Sequence, residues 1–482
     1  MDSGLVAALA RAVPTGGLIT APEALRTYEC DGLTGHRVVP SAVVLPESTD
    51  QVAACVSACH QARVPFVARG AGTGLSGGAL PVADGVVICL TRMRAILDVD
   101  IQGQRVTVQP GVANLQVSDA VRANGHYYAP DPSSQSVCTI GGNVAENSGG
   151  AHCLKYGFTT THVVGVTLVT PDGRVTTLGG AVADAPGYDL LGVVVGSEGT
   201  LGIVTEVILN IIPIPETVRT MLCGFASMSA AGLAVSAIIA EGITPAAIEM
   251  MDRLAIEAVE AAVHADYPRC QAVLLVELDG PRAECASTFA RVEEICRQSE
   301  AQEIRVAADA SQRAMMWRGR RAAFAAMGRI SPDYYVQDGV IPRGRLAPVL
   351  DGIAALEQEY DLRVANVFHA GDGNLHPLVL YTGSHHGEGD RALELAGRIL
   401  DLCLSEGGSI TGEHGVGSDK ACAMPKMFSE GALEVFTRVR AAFDPDGVCN
   451  PGKVLPTPRL CGEVPGPYRP HPLEIAGVAT RM

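Results

Sequence analysis

Two short glycine-framed segments carry the side chains of this sequence that are best suited to chemistry. The first, HAGDGNLH, places His369 and His376 between two β-rich runs, and its glycines predict a turn that brings both imidazoles to one mouth. The second, GEHG, places Glu413 beside His414. In a regular strand these two side chains would point to opposite faces, but the flanking glycines permit a turn that directs both inward. Two imidazoles and one carboxylate with open positions suit a catalytic divalent metal ion.

Other polar residues have simpler interpretations. His385 and His386 lie in a polar loop, TGSHHGEGD, and are expected at the surface. The run WRGRR lies on a helix predicted over 309–327, and cations on a helix usually form a solvated face. Any single histidine of the two glycine-framed segments could also be an ordinary loop residue. Three of them beside Glu413 favour a site.

A glycine-rich loop, ARGAGTGLSGGAL, contains both GxGxxG, from Gly72 to Gly77, and GxSxG, from Gly74 to Gly78. A Rossmann dinucleotide site and a hydrolase nucleophile elbow both require a helix directly after the loop, whereas Pro81 here leads into a β-rich run. Both interpretations therefore fail on context. The loop can still hold a diphosphate through its backbone N–H groups, with an ordinary turn as the alternative.

Two further segments share this composition. One runs from Pro130 to Gly150 and is dense in glycine and small hydrogen-bond donors, and the other is GSEGTLG, residues 196–202. A second and a third segment of this kind favour an anion-binding site over three unrelated turns.

The elements that must position these segments form two blocks. Residues 41–68 predict strand, helix and strand, with the helix starting at Ser48 or Thr49, and further strands follow up to a break at Pro213-Ile214-Pro215. Beyond it, a repeated strand–helix–strand pattern predicts an antiparallel sheet with helices on one face. A last helix is expected over 430–443.

Composition excludes several classes of protein. The 482 residues allow about three folding units, and the net charge of -16 disfavours a nucleic-acid partner. The fourteen cysteines lie mostly in apolar stretches and predict buried free thiols, and pairs such as Cys55/Cys59 and Cys449/Cys461 lack the spacing of zinc or iron–sulfur ligands. No apolar run is long enough to span a membrane. A cytoplasmic location is expected.

The order and the amino-acid sequences of these segments resemble those of the vanillyl-alcohol oxidase or p-cresol methylhydroxylase superfamily. Within it, the chain resembles the family of FAD-binding D subunits of bacterial glycolate oxidase, also called glycolate dehydrogenase. The phrases that carry the resemblance are RGAGTGLSGGALP, YYAPDPSSQ, GGNVAENSGG, HCLKYG, GRISPDYY, LRVANVFHAGDGNLHP, GGSITGEHGVG and AAFDPDGVCNPGK. It spans roughly residues 25–460.

The resemblance implies an α+β fold with a two-part FAD-binding domain of the p-cresol methylhydroxylase type and a ferredoxin-like antiparallel-sheet substrate (cap) domain. The predicted bounds are 1–216 for the FAD-binding domain, 217–425 for the cap domain with the metal site, 426–456 for a C-terminal segment packing back near the flavin, and 457–482 for a proline-rich tail. Relatives that bind FAD covalently through the first loop have a histidine where Thr73 aligns, so noncovalent FAD is expected.

The resemblance also assigns roles to single residues. The metal ligands are His369, His376 and Glu413, with zinc as the expected ion, and His414 is the catalytic base. Arg320 and Asn374 are expected to bind the substrate. The implied cofactor contacts are Arg69, Gly70, Ala71, Gly72, Thr73, Gly74, Gly77, Gly78, Pro132, Ser133, Ser134, Thr139, Gly141, Gly142, Asn143, Ser148, Gly149, Glu198, Ile203 and Asn450.

The resulting hypothesis is oxidation of glycolate to glyoxylate, with D-lactate as a further possible substrate. A D-lactate or D-2-hydroxyglutarate dehydrogenase is the alternative within the family, although Phe324 and Val336 align with polar residues that grip a second carboxylate in the 2-hydroxyglutarate enzymes. A flavin-free metallohydrolase and a non-catalytic flavin-binding scaffold are the alternatives of other classes. The resemblance implies a second flavin-type subunit and an iron–sulfur subunit as partners, through which the chain could lie peripherally at the inner membrane.

Overall fold

The first strand–helix–strand unit forms where local signals predict it. In the computed structural model, which describes residues 1–182 and 186–456, the Ser48 side chain caps helix Thr49–Ala62 by accepting a hydrogen bond from the Gln51 amide at 3.3 Å. Arg63 ends the helix in a left-handed conformation. The proline-rich tail expected at 457–482 lies outside the described residues.

Two main sheets form the N-terminal region, a name used here for residues 1–216. The first has four strands in the order Leu18–Ile19, Ala42–Val44, Val86–Cys89 and Phe66–Arg69, and the last three are parallel. The second is antiparallel, in the order Ile96–Asp100, Arg105–Val108, Ile203–Asn210, Val163–Val169 and Val175–Gly179. A short pair joins Ile212–Pro213 to His126–Tyr127.

Short helices connect these strands. The α-helices of the N-terminal region are Ser3–Ala12, Pro22–Leu25, Thr49–Ala62, Asn114–Val121, Ile140–Glu146, Cys153–Tyr156, Thr159–His162 and Leu190–Val194. The helix Ile140–Glu146 was not predicted, because Gly141 and Gly142 disfavour helix. It forms because Thr139 caps it and because Ile140 and Val144 are fully buried in the core.

One antiparallel sheet of nine strands organises the cap region, residues 217–425. Its first four strands stand in the order Ala301–Val306, Thr217–Phe225, Ala272–Gly280 and Ala247–Asp252, which is the ferredoxin-like arrangement. The sheet continues with Arg363–His369, where it branches. One branch holds Asn374–Leu375 and Gly339–Val340, and the other holds Pro377–Tyr381 and Asp333–Val336.

Helices cover both faces of this sheet, whereas the sequence predicted helices on one face only. Met228–Ala240, Arg282–Gln298, Leu346–Tyr360 and Glu388–Ser405 cover one face, and Arg253–Val263 and Ala310–Ala326 cover the other. Every residue of strand Ala247–Asp252 is buried, with Ile248 and Met250 in one core and Met251 in the other. A strand that is apolar on both sides requires a cover on both.

The C-terminal segment, residues 426–456, returns to the N-terminal region. After helix Glu430–Phe443, Cys449 forms a parallel bridge with Phe66, and the Asn450 amide donates to the Phe66 carbonyl at 2.8 Å. Cys89, Cys223 and Cys403 are buried free thiols, as predicted. No helix within the described ranges is both long and apolar enough to cross a membrane.

Candidate functional site

The three glycine-rich segments meet around a cavity of about 80 Å³, called the smaller cavity below. Its wall comes from the loop after strand Phe66–Arg69, from helix Ile140–Glu146 and from residues 194–204. The predicted cofactor residues that line it are Arg69, Gly70, Gly78, Thr139, Gly141, Gly142, Glu198 and Ile203.

Asn450 ties these segments together. Its side-chain amide donates to the carbonyls of Gly78, at 3.0 Å, and of Glu198, at 2.7 Å. The Glu198 carboxylate accepts in turn from the amides of Val416 and Gly417, at 2.7 and 2.6 Å, and burial raises the pKa of Glu198 to about 7. Glu198 therefore fixes the loop that follows Glu413 and His414 to the smaller cavity.

Other predicted cofactor residues do not line this cavity. Ala71, Gly72, Thr73, Gly74 and Gly77 continue the loop after Gly70, and Asn143, Ser148 and Gly149 follow within or just after helix Ile140–Glu146. Pro132, Ser133 and Ser134 belong to one turn, in which Ser133 lines the larger cavity described below and the other two line neither cavity.

Close backbone approach makes this cavity suitable for a flavin nucleotide. A Cβ on Gly141 would lie 2.6 Å from the Pro110 Cβ, and one on Gly70 would overlap the Thr139 hydroxyl. Glycine is thus what allows these chains to come so close. The buried side-chain nitrogen of Asn143 has no hydrogen-bond partner among the described residues. These residues fit a bound diphosphate-containing cofactor.

His369, His376 and Glu413 form a compact buried group in the cap region. Both imidazoles face one oxygen: Nε2 of His369 lies 3.2 Å and Nε2 of His376 lies 3.3 Å from Oε1 of Glu413. His369 ends strand Arg363–His369, and the turn through Gly373, with φ of +80°, returns the chain towards His376. One ligand atom from each residue lies within 4.8 Å of the others, which suits a single metal ion.

Unpaired polar atoms at this group are available to a ligand. Both ring nitrogens of His376 and both side-chain polar atoms of Asn374 are buried without a hydrogen-bond partner among the described residues. Buried polar groups are nearly always satisfied in native proteins. The donor set therefore fits a divalent cation, and Asn374 lies where it could contact a molecule bound beside that cation.

His414 stacks on His376, with ring centroids 4.8 Å apart and an interplanar angle of 7°. Burial lowers the pKa of His414 to about 4, and the nearby charge of Asp338 does not offset this effect. The imidazole is thus neutral near pH 7 and can accept a proton.

Asp338 holds the loop that carries Glu413 and His414, and sequence reasoning missed it. Its carboxylate is fully buried and accepts from the Thr411 hydroxyl at 2.6 Å and from the amides of Gly412 and His414 at 3.0 and 2.8 Å. Asp338, His376 and His414 also form a second possible ligand group. In the sequence YVQDGV, Asp338 is a lone acidic residue, and no spacing to other polar residues marks it as part of a site.

A larger cavity, of about 310 Å³, opens between the N-terminal and cap regions. Arg320, on helix Ala310–Ala326, lines it together with Glu249 and His369. The Nε of Arg320 lies 2.6 Å from Oε2 of Glu249. The predicted substrate arginine and one predicted metal ligand therefore share a cavity. Glu249 was not predicted, although an acidic residue inside the apolar strand AIEMMD was a usable signal.

A second ionic group in the wall of the larger cavity joins the two regions. His152 of the N-terminal region lies 2.7 Å from Asp131 and 3.2 Å from Glu277 on cap strand Ala272–Gly280. Glu277 also accepts from Arg313 at 2.7 Å and from the Trp317 indole at 2.7 Å. None of these residues was assigned a role from the sequence, although Trp317 lies in the run WRGRR and His152 begins the segment HCLKYG.

Apolar residues border the predicted metal ligands. The Phe324 ring lies 5.9 Å from the His376 ring, and Val336 is half-buried on strand Asp333–Val336. His385 and His386, which the sequence predicted at the surface, are exposed.

Comparison with known proteins identifies both parts of the chain. Residues 40–179 match the family described as FAD binding domain, and residues 214–454 match FAD linked oxidases, C-terminal domain. Glycolate oxidase subunit GlcD of Escherichia coli (strain K12) is 51% identical over 462 residues, covering 96% of this chain and 93% of the relative. D-lactate dehydrogenase of Anaerostipes hadrus is 32% identical over 428 residues, covering 86% and 89%.

The fold has a close counterpart among solved structures. The crystal structure of p-cresol methylhydroxylase with substrate bound superposes with a TM-score of 0.78 at 17% identity, covering 93% of this chain and 96% of that one. This likeness confirms the predicted α+β fold of the p-cresol methylhydroxylase type. With the sequence matches, it shows that the chain is an FAD-dependent oxidoreductase and belongs to the family of FAD-linked oxidases that includes glycolate oxidase subunit GlcD.

Proposed function

We propose that this chain oxidises glycolate to glyoxylate as the flavin-binding, substrate-oxidising subunit of a glycolate oxidase. The observation that carries the proposal is that Arg320 and His369 line one cavity between the two regions, and that His369 belongs to the group that it forms with His376 and Glu413. The 51% identity to a glycolate oxidase subunit favours glycolate as the substrate.

The side chains divide the reaction between them. Arg320 binds the substrate carboxylate, because Nε alone pairs with Glu249 and a guanidinium has four further N–H groups. His369, His376 and Glu413 would hold a divalent ion, with zinc the expected one, and that ion would supply Lewis acidity towards the substrate hydroxyl.

His414 accepts the hydroxyl proton at Nε2, because Nε2 faces the ligand group, at 3.9 Å from Oε1 of Glu413, whereas Nδ1 faces Asp338 at 4.0 Å. Asn374 orients the substrate beside the ligand group. FAD, when bound, would supply the acceptor for the hydride that leaves the α carbon. The protein thus contributes binding, orientation and one proton acceptor.

FAD is held noncovalently in this proposal. The residues that would hold it are those around the smaller cavity together with Ser133, Ser148, Gly149 and Asn450. Thr73 offers no nucleophile comparable to a histidine ring. Acid precipitation is expected to leave the yellow colour in the supernatant, and colour retained in the pellet would refute noncovalent binding.

Substrate size follows from the apolar border of the site. Phe324 beside His376 and the half-buried Val336 disfavour a second carboxylate, because burying an unpaired charge is costly. A short monocarboxylate is therefore preferred over D-2-hydroxyglutarate. D-lactate is the second candidate, since a D-lactate dehydrogenase is 32% identical to this chain.

Anaerobic reduction of the flavin tests the proposal directly. Glycolate, D-lactate, L-lactate and D-2-hydroxyglutarate are mixed in turn with the oxidised protein, and the loss of visible flavin absorbance is followed. We expect glycolate to bleach the flavin fastest. Faster bleaching by D-lactate would show that D-lactate, and not glycolate, is the preferred substrate. A purified protein without yellow colour would favour the metallohydrolase alternative.

Partners complete the route of the electrons in this proposal. A second flavin-type subunit and an iron–sulfur subunit would accept electrons from this chain and could place it at the inner membrane. The isolated chain is then reduced by glycolate but turns over slowly with quinone analogues until partners are added. Full quinone-linked turnover by the chain alone would contradict the need for partners.

A further inference from the structure

Glu249 is an acidic side chain in the middle of an apolar strand of the cap sheet. Strand Ala247–Asp252 reads AIEMMD, and Glu249 is only 1% exposed. Moving a single carboxylate out of water costs several kcal/mol unless partners compensate. The position of this charge therefore needs partners that make use of it.

Two partners share the Glu249 carboxylate, and each comes from a different element. Oε1 lies 2.7 Å from Nδ1 of His369, whose strand pairs with that of Glu249 in register. Oε2 lies 2.6 Å from Nε of Arg320 on helix Ala310–Ala326. All three residues line the larger cavity.

Each contact sets a property that the proposed reaction needs. A hydrogen bond from Nδ1 of His369 to a carboxylate leaves the Nε2 lone pair free, and Nε2 is the atom 3.2 Å from Glu413. The contact to Nε of Arg320 fixes the plane of the guanidinium, whose remaining N–H groups can bind a carboxylate in a fixed orientation.

We propose that Glu249 is a positioning residue that aligns the substrate arginine and a metal ligand with one carboxylate. This inference rests on the proposed function and deepens it. Because one carboxylate contacts both side chains, it keeps Arg320 and His369 at a set separation.

The substitution Glu249→Gln tests the double contact. The amide replaces one of the two carboxylate oxygens with an NH2 donor, so that either His369 or Arg320 would face a donor instead of an acceptor. Zn²⁺ is titrated into protein that was first treated with EDTA, and free Zn²⁺ is measured after equilibrium dialysis. We expect Zn²⁺ affinity to fall about 10-fold to 100-fold, the usual effect of losing an outer partner of a metal ligand.

The same variant is then examined with Zn²⁺ kept saturating. The glycolate concentration for half-maximal flavin reduction is expected to rise at least about 10-fold, more than the limiting rate falls, because a misaligned arginine weakens binding first. Zn²⁺ affinity and half-saturation both equal to wild type would overturn the proposal.

Asp252→Asn is the matched control for a purely structural role. Asp252 lies on the same strand, is buried, and accepts from the amides of Ala255 and Asn366 at 2.8 and 2.6 Å, outside both cavities. It is expected to lower the thermal midpoint with Zn²⁺ affinity and half-saturation unchanged. Equal changes in both variants would show that Glu249 is only structural.

If Glu249→Gln does not fold, Glu249→Asp replaces it, because the shorter carboxylate keeps its charge but cannot reach both donors. The same two shifts are expected. A wild-type chain that binds Zn²⁺ but is not bleached by glycolate would overturn the proposed substrate, while the Zn²⁺ titrations would still decide the role of Glu249.

Discussion

The smaller cavity is walled mainly by glycines and other small or apolar residues, whereas the wall of the larger cavity includes many charged side chains that come from separate elements. Around the smaller cavity, Gly70 and Gly141 allow neighbouring chains to approach so closely that a Cβ would collide with Thr139 or Pro110. Around the larger one, Glu249, Glu277 and their cationic partners form buried ionic groups. The smaller cavity depends on the absence of Cβ atoms at its glycines, and the larger cavity depends on the charges of its side chains.

This difference decides which changes each cavity tolerates. Adding a methyl group to a glycine of the smaller cavity should lower the retention of the cofactor. Removing one hydrogen-bond acceptor from the larger cavity should weaken metal binding or slow the chemistry, with the flavin retained. Four substitutions separate these two kinds of effect.

The largest effect is expected for His414→Asn. Without the neutral imidazole, flavin reduction by glycolate should slow by about 10² to 10⁴-fold, the usual contribution of a positioned general base. FAD content should equal that of wild type. Stopped-flow absorbance measures the rate, with exposed His385→Asn as the control. A rate near that of wild type would remove His414 from its proposed role.

Next in size is Asp338→Asn, which removes the negative charge from the group whose Oδ2 accepts from the Thr411 hydroxyl and from the amides of Gly412 and His414, and so weakens these three hydrogen bonds. The loop carrying Glu413 and His414 should lose its fixed geometry, and reduction should slow by about 10-fold to 100-fold. The control is Asp333→Asn, on the same stretch but bonded to the Gly383 amide. Equal rates in wild type and Asp338→Asn would contradict a positioning role.

Gly141→Ala tests the smaller cavity. The added Cβ would lie 2.6 Å from Pro110, and such overpacking costs about 1 to 3 kcal/mol. FAD affinity should fall about 10-fold, as fluorescence titration of the apoprotein would show, with Zn²⁺ retained. Gly397→Ala, on a cap helix with nothing within 4 Å of the new Cβ, should leave FAD affinity unchanged. Loss of Zn²⁺ in Gly141→Ala would break the distinction between the cavities.

The smallest effect is expected for His152→Asn, which weakens the ionic group between the two regions. Burial alone would lower the pKa of His152, but Asp131 and Glu277 outweigh it and raise the pKa to about 10 from 6.5. The stabilisation is therefore complete below about pH 6.5 and is lost as pH rises towards 10.

Thermal midpoints of wild type and His152→Asn should therefore differ more at pH 6 than at pH 9, with exposed His386→Asn as the control. The free energy of unfolding is expected to fall by about 2 kcal/mol at the lower pH, within the usual range for a lost buried ionic contact. A difference that grows with pH would contradict a cationic His152.

Sequence predicted the smaller cavity better than the larger cavity, for a physical reason. Glycine loops, the Ser48 cap and the HAGDGNLH turn are local, so their residues stand next to one another in the chain. Asp338, Glu249 and Glu277 act on residues that are 36 or more positions away, and a single acid in a strand has no spacing that marks it. The helix Ile140–Glu146 was missed because burial of Ile140 and Val144 overrides the low helix propensity of glycine.

The contacts between the two regions have a consequence for how substrates arrive. Lys155 and Tyr156 both bind Asp279, on the same cap strand whose Glu277 binds His152. Separating the regions would strip several charges of their partners at once, so hinge opening is disfavoured. We expect the two regions to stay in contact during turnover, so that small acids enter and leave the larger cavity without a hinge motion.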